Sequence, residues 1–248
     1  MKKMITLVFF LLAVKGYSQY NLYTLNNGSF IEVNEIKRHL NSAKTTLPSA
    51  FEMTAVIYHK VVKNDTVINY INLLVSKKSS VKGSQELGFT YKQDSTFLLL
   101  NQRLPSFKLK DMNGKEIHAK KLLGKPTLIN FWATYCGPCI AEMPQLSKLK
   151  QRYKDRMNFI AITENNVAND HLFDFLKNKD FNFQILVDGK TYVKKLKVSA
   201  LPKNLFIDRY GILRYIQEGY PINIKGNGTA VNDNYFTEII EKLIKNPN

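Results

Sequence analysis

Residues 130–144 read NFWATYCGPCIAEMP and hold both cysteines of the 248-residue chain, Cys136 and Cys139. An apolar stretch at residues 127–132 precedes them and is typical of a buried strand, and a helical pattern follows to about residue 153. Pro138 falls near the first helical position, where its missing N–H costs nothing. The sequence therefore predicts a strand, a tight connection and a helix, with Cys136 at the helix N-terminus.

A cysteine in that position is chemically activated. The unpaired amides and the dipole at a helix N-terminus favour an anion, and the thiolate is the reactive form of cysteine. Lowering a thiol pKa from about 8.5 to about 7 raises its ionised fraction at neutral pH roughly fifteen-fold. Cys139 lies one helical turn further, on the same face, where it can attack a mixed disulfide on Cys136. This pattern predicts dithiol-disulfide exchange, with Cys136 as the exposed nucleophile and Cys139 as the buried resolving cysteine.

A metal site and a structural disulfide are weaker interpretations of the cysteine pair. A zinc site needs about two more ligands, no cysteine remains, and the four histidines show no paired ligand spacing. A purely structural disulfide that closes so short a loop would add little stability. We therefore expect no metal, and no cofactor beyond the redox-active cysteine pair, because the chain carries no flavin or nicotinamide motif.

The first eighteen residues are predicted to be a secretory signal peptide. A basic start precedes an apolar run at residues 4–14, and the small residues Gly16 and Ser18 precede the expected cleavage point. The run is too short to span a bilayer, and no cysteine follows it that could carry a lipid anchor. We expect export to the periplasm, a compartment in which disulfides persist.

The remainder is predicted to divide into two regions. Residues 19–103 suggest a small β-rich N-terminal module of unknown role, and residues 104–248 suggest an α/β domain with a mixed central sheet flanked by helices. The N-terminal elements expected are a short helix at 31–40, a hairpin of 51–62 with 66–75, and one or two strands within 88–100. The later elements expected are a hairpin at 107–117, strands at 127–132, 157–163, 183–187, 205–208 and 212–217, and helices at 137–153, 170–177 and 236–244.

The CxxC segment resembles the thioredoxin superfamily. The resemblance rests on Phe131-Trp132-Ala133, on Cys136-Gly137-Pro138-Cys139, and on Pro144 five residues later. The second match is the segment SALPKNLFID at residues 199–208. Within the superfamily, residues 104–243 look most like exported TlpA/ResA-like thiol-disulfide oxidoreductases, because a hairpin precedes the first core strand and a helical insertion separates two later ones.

This resemblance implies roles for individual residues. Pro202 would be cis and face the CxxC, and the backbone of Leu201 would pair with an extended substrate. Glu142 would sit near the cysteines and tune their pKa values, because Asn130 stands where thioredoxin has a buried acid and cannot titrate. An ordinary surface glutamate remains the alternative for Glu142. The residues expected to contact substrate are Trp132, Tyr135, Gly137, Pro138, Leu201 and Pro202, although Trp132 is as readily explained as a core aromatic.

The charge distribution and the family resemblance together predict the binding partners. The chain has 36 Lys and Arg against 20 Asp and Glu, a net charge of +16, but these residues are scattered and no nucleic-acid motif is present. We interpret them as a solvated surface and expect no nucleic-acid partner. The resemblance implies disulfide-bearing envelope proteins as substrates, including the haem-site thiols of apocytochrome c, and a membrane-bound electron donor. The oligomeric state is not predicted.

The leading hypothesis is an exported enzyme that reduces disulfides of other proteins. Gly-Pro between the cysteines is the dipeptide of reducing thioredoxins. Alternatives with the same cysteines are a disulfide oxidase or isomerase. A peroxidase is disfavoured because Ala133 stands where peroxiredoxins place a threonine, three residues before their cysteine. A last alternative makes residues 19–103 an envelope-binding module to which the redox domain is secondary.

Overall fold

The computed structural model of the chain describes residues 20–25, 29–77, 89–220 and 234–245. The predicted signal peptide, residues 1–18, lies outside these ranges. Within them, no helix combines the length and the apolar composition that crossing a bilayer requires.

The N-terminal region forms a four-stranded sheet and one long helix, α1 (Val33–Thr46). Its strands are β1 (Tyr20–Thr24), β2 (Phe51–Lys63), β3 (Thr66–Lys77) and β4 (Thr90–Tyr91). The order across the sheet is β1-β3-β2-β4. β2 and β3 form the predicted hairpin, whose turn places Asn64 at a positive φ of 51°, a conformation that asparagine tolerates. α1 closes one side of this sheet through the buried Ile36, which packs with Ala55, Ile57 and Ile71.

A second sheet of seven strands follows in the order β11-β10-β7-β8-β9-β5-β6. Its strands are β5 (Lys108–Asp111), β6 (Glu116–His118), β7 (Thr127–Trp132), β8 (Asn158–Thr163), β9 (Gln184–Val187), β10 (Lys203–Ile207) and β11 (Leu213–Gln217). The central strands β7, β8 and β9 are parallel, and the outer strands pair antiparallel. The predicted mixed sheet is thus confirmed, and with its helices it forms a thioredoxin-like α/β fold.

The two faces of this sheet are covered differently. In the part of the chain that the structure describes, four helices accompany it: α2 (Gly137–Tyr153), α3 (Leu172–Leu176), α4 (Lys190–Lys195) and α5 (Asn234–Lys245). Side chains of α2 and α5, such as Leu146 and Phe236, pack on one face. On the other face the core combines α4 residues with Tyr58 and Phe97 of the N-terminal region. Residues 20–103 therefore contribute directly to the core that supports β7 and β10.

The structure differs from the local predictions at α1, which runs from Val33 to Thr46 where a helix was expected at 31–40, and at the unpredicted β1 and α4. Residues 88–100 were expected to add one or two strands, and the described residues there add one, the two-residue β4, followed by a 3₁₀ turn at Ser95–Leu99. Asp94 caps this turn, because its carboxylate accepts a 2.8 Å hydrogen bond from the Thr96 N–H. β1 pairs in parallel with β3, a long-range pairing that local patterns do not reveal.

Candidate active site

Cys136 caps the N-terminus of α2, four residues after β7 ends. Its backbone is extended, with φ −89° and ψ 93°, and its Sγ accepts a hydrogen bond of 3.3 Å from the Cys139 N–H. The first helical turn contains Gly137 and Pro138, as the sequence predicted. Cys136 and Cys139 form a disulfide whose Cα atoms are 5.3 Å apart. The Cys139 N–H therefore points at the Cys136 sulfur, where it would stabilise negative charge after reduction.

The predicted contrast between the two cysteines needs correction. Cys136 was expected to be exposed, but in this disulfide form only 7% of its surface is accessible, against 1% for Cys139. Cys136 packs in the hydrophobic core because the chain passes from the end of the buried strand β7 to the start of α2 within four residues. The order of accessibility is as predicted, although both sulfurs belong to the buried part of the molecule.

The segment before Cys136 is held by Asn165, which follows β8. The Asn165 side-chain oxygen accepts a 2.9 Å hydrogen bond from the Thr134 N–H and a second, also 2.9 Å, from the Thr163 hydroxyl. Asn165 was missed at the sequence level. Its only signal was its place just after the carboxyl end of a parallel strand, which is where α/β sheets collect functional groups.

Glu142 is a buried carboxyl, and the surface alternative for it is wrong. Its exposure is 1%, and three groups donate to it: the Tyr220 N–H at 2.6 Å, the Asn130 amide at 2.7 Å and, more weakly, the Asn204 amide at 3.4 Å. Burial raises the pKa of Glu142 to about 7, and the hydrogen bonds from Tyr220, Asn130 and Asn204 partly oppose that rise. The group can therefore gain or lose a proton near neutral pH.

Asn130 has a definite function in this arrangement. Its amide nitrogen also donates to the Asn204 side-chain oxygen at 3.0 Å, so that two neighbouring strands are tied to one carboxyl. Asn130 and Asn204 are opposite each other in the β7–β10 register. Two strand asparagines therefore hold the Glu142 carboxyl, which lies on the helix. Asn204 was not predicted, since an isolated asparagine in a strand gives no signal.

Pro202 lies beside both the strand end and Glu142. The Leu201–Pro202 peptide bond is cis, in agreement with the expectation for this position. Lys203 pairs with Phe131, so Pro202 falls opposite Trp132 at the end of β7. A Cβ placed on Gly219 would lie 3.4 Å from the Pro202 Cγ and 3.8 Å from a Glu142 carboxyl oxygen. The segment 218–220 therefore fits closely against Pro202 and Glu142 at once.

Most of the residues predicted to contact substrate lie at least partly at the surface, and one of them lies in the core. Tyr135 is 78% exposed, Gly137 and Pro138 are exposed, and Leu201 and Pro202 are partly buried. Trp132 is different, because it is 1% exposed and its ring stacks on Phe175 with centroids 6.0 Å apart. Its side chain lies in the hydrophobic core, and contact of Trp132 with substrate stays a prediction.

The structure combines a thioredoxin-like fold with a Cys-Gly-Pro-Cys disulfide at a helix N-terminus, a cis-proline and a buried carboxyl. This combination defines the class of thiol-disulfide exchange proteins. Comparison with known proteins agrees. The profile of the AhpC/TSA family matches residues 100–216. The thioredoxin-like protein YneN of Bacillus subtilis is 31% identical over 132 residues, which cover 52% of this chain and 78% of YneN.

The thiol-disulfide oxidoreductase ResA of Bacillus thuringiensis subsp. konkukian is 33% identical over 131 residues, covering 52% of this chain and 72% of ResA. Among solved structures, a hypothetical protein of Sinorhizobium meliloti matches with a TM-score of 0.51 at 19% identity, covering 59% of this chain and 84% of that one. The last likeness concerns the fold alone. The chain belongs to the ResA-like family of thioredoxin-fold thiol-disulfide oxidoreductases, and it is an enzyme of that class.

Proposed function

We propose that this protein is an exported reductant of disulfides in other envelope proteins. The observation that carries the proposal is the cysteine pair at the N-terminus of α2 with the buried Glu142 one turn further along the same helix. Export is supported by the signal-peptide pattern of residues 1–18. The resemblance to ResA-like proteins suggests apocytochrome c as one substrate and a membrane-bound dithiol protein as the electron donor.

The proposed reaction starts from the reduced pair. The Cys136 thiolate attacks one sulfur of a substrate disulfide, a mixed disulfide forms, and the other substrate sulfur leaves as a thiolate that takes up a proton. Cys139 then loses its proton and attacks Cys136 Sγ, which releases the second substrate thiol and forms the Cys136–Cys139 disulfide. Two electrons thus pass to the substrate, and the donor dithiol later restores the reduced pair.

Glu142 is proposed to exchange the proton of Cys139. Its pKa of about 7 allows it to hold or release a proton under the conditions of the reaction. The Tyr220 N–H and the two asparagines fix its orientation. Tyr135, Gly137, Pro138, Leu201 and Pro202 are the proposed contact surface for the substrate. Tyr135, Gly137 and Pro138 adjoin the cysteines in sequence and are exposed, and Leu201 and Pro202 are partly exposed just before β10.

Two serine variants test the function. Cys136→Ser should abolish reduction of a protein disulfide such as insulin, because the chain has no other cysteine than Cys139 to attack it. Lys148→Ser, on the exposed face of the same helix, is the matched control and should retain activity. Residual activity of Cys136→Ser above about a tenth of the wild type would contradict the assignment.

Cys139→Ser tests the resolving step and identifies substrates. This variant should accumulate mixed disulfides through Cys136, which can be isolated from the native envelope and identified by mass spectrometry. Failure to form an adduct with a substrate that the wild type turns over would exclude Cys139 as the resolving cysteine.

A further inference from the structure

A lysine side chain is completely buried directly after Pro202. Lys203 begins β10 with a side-chain exposure of 0%, and its Nζ donates to Asp94 and, at 3.2 Å, to Glu218. The Tyr58 hydroxyl donates to the other Glu218 oxygen at 3.0 Å. Burial, and then the neighbouring carboxylates, raise the pKa of Tyr58, so the hydroxyl stays protonated and can act as a donor. We call Tyr58, Asp94, Lys203 and Glu218 the Lys203 cluster.

The Lys203 cluster joins two parts of the chain that are far apart in sequence. Tyr58 lies on β2 and Asp94 caps the 3₁₀ turn, so both belong to the N-terminal region, whereas Lys203 begins β10 and Glu218 directly follows β11. The ion pair of Lys203 with Asp94 is buried on both sides, at 0% and 5% side-chain exposure. Well-packed apolar side chains could stabilise such an interface as well, because desolvation offsets much of the attraction in a buried ion pair. General stability alone therefore does not account for a charged cluster here.

The position of the cluster suggests what it does. Lys203 is bonded to Pro202, and Glu218 is two residues before Tyr220, whose N–H donates to Glu142 at 2.6 Å. Gly219, between Glu218 and Tyr220, fits against both Pro202 and Glu142. The cluster thus fixes one end of each of the two segments that complete the site beside α2.

We infer that Tyr58 and Asp94 of the N-terminal region are positioning residues for the redox site, which act through Lys203 and Glu218 on Pro202 and on the Tyr220 N–H. The inference rests on the proposed function, since it assigns these residues to the reaction of Cys136 and Cys139. Residues 20–103 are then part of the enzyme's working structure, and not a separate binding module to which the redox domain is secondary.

A pair of tyrosine variants separates positioning from simple interface stability. Tyr58→Phe removes only the hydroxyl that holds Glu218. Tyr192→Phe is the matched control, because Tyr192 is equally buried and its hydroxyl donates to the Pro105 carbonyl at 2.8 Å, outside the Lys203 cluster. Both full-length variants are purified, their melting temperatures are measured, and kcat/KM for reduction of insulin is determined. Asp94→Asn serves as a second variant within the cluster.

Tyr58→Phe and Asp94→Asn should each lower kcat/KM about five-fold or more, while Tyr192→Phe changes it less than about two-fold at a comparable melting temperature. Combining Tyr58→Phe with Glu142→Gln gives the sharper test. If Tyr58 acts through the hydrogen bond to Glu142, the loss caused by Tyr58→Phe should shrink to less than about two-fold when Glu142→Gln is already present. A purely structural role would leave that loss unchanged.

Each outcome of these measurements either supports or overturns a stated part of the inference. Equal activity of Tyr58→Phe and Tyr192→Phe would overturn the positioning role and leave the reductase proposal intact. Multiplicative losses in the double variant would overturn the route through the Tyr220 N–H and Glu142. A wild-type chain that reduces no protein disulfide would overturn the proposed function itself. Strong loss in Tyr58→Phe that disappears when combined with Glu142→Gln would support the inference.

Discussion

The carboxylate of Glu142 accepts a 2.6 Å hydrogen bond from the backbone N–H of Tyr220, 78 residues further along the chain. This contact joins the helix that carries both cysteines to the segment that follows β11. Together with the two asparagine donors, it offsets part of the cost of placing a carboxyl where solvent hardly reaches it. The protonation state of Glu142 consequently depends on how well three donors from distant parts of the chain are held in place.

Glu142→Gln should change the pH dependence of stability. Burial raises the pKa of Glu142 from 4.5 to about 7, so the folded protein binds a proton that the unfolded chain has already released in this range. The stabilising contribution of the protonated carboxyl is full below about pH 4.5 and is lost as the pH rises through about 7, a change of up to ~3 kcal/mol.

The measurement is denaturant unfolding of the oxidised wild type and the variant at about pH 5 and about pH 9. The wild type should lose more of its free energy of unfolding than the variant between those two conditions. A difference between the two proteins that stays constant with pH would contradict the raised pKa.

Asn130→Asp should destabilise the protein near neutral pH. The change removes the 2.7 Å donor to Glu142 and puts a second carboxyl beside it, in a site where Asn130 is 1% exposed. We expect a loss of ~3 kcal/mol at about pH 7 and less in acid, where the pair shares a proton. Asn158→Asp is the control, because its amide donates to Leu122 O and the Thr127 hydroxyl, and not to a carboxylate. Equal losses in both variants would argue against a special effect of the acid pair.

Tyr135→Ala should weaken reduction of proteins but not of small disulfides. Tyr135 is 78% exposed and directly precedes Cys136, so it can contact a large partner without touching the reacting sulfurs. Losing such an aromatic contact should raise KM for a protein substrate about five-fold, or ~1 kcal/mol, and leave turnover of a small aromatic disulfide unchanged.

Tyr210→Ala controls for the loss of an exposed tyrosine. Tyr210 is 49% exposed and lies in the turn after β10, at the opposite end of that strand from Pro202. It should leave KM for both substrates at the wild-type value. A common effect of the two variants, or a loss that extends to small disulfides, would remove Tyr135 from the contact surface.

The midpoint potential should lie toward the reducing end of the known range, at about −270 to −220 mV. A potential rises when the reduced form is stabilised, chiefly by a strongly lowered pKa of the attacking thiol. Gly137 and Pro138 bring no charge or side-chain donor to Cys136, and a carboxylate at Glu142 disfavours further negative charge. Equilibration with glutathione or dithiothreitol buffers gives the value. A midpoint above about −180 mV would favour the oxidase or isomerase alternative.

The sequence was most informative where structure is local. β7 was predicted at its observed bounds, and helix α2 was predicted to its observed end at Tyr153, because an apolar run, a proline near the helix start and helical spacing are short-range signals. The cysteine pair, Glu142 and Pro202 could be found from motif spacing for the same reason. Trp132 was the opposite case, since one aromatic before a CxxC gives no indication of whether it faces solvent or core.

The rest depends on contacts across long stretches of chain. Asn204, Tyr220 and Asn165 contact the site or its approach only because strands β7, β8, β10 and β11 bring them there, and none of them stands in a recognisable local pattern. Lys203 was not predicted, because the strand was expected to begin at residue 205. Its partner Asp94 is 109 residues away, and no local rule connects the two.

Because Lys203 is completely buried, its chemical modification can report whether the N-terminal sheet is packed against β10. Acylating reagents modify accessible amines, so a lysine side chain enclosed between Asp94 and Glu218 is protected while the surface lysines react. Modification at Lys203 would require the N-terminal sheet to separate from β10. The rate at which the peptide containing Lys203 becomes acylated, read by mass spectrometry, therefore measures how often the two sheets part in the native protein, without any added label.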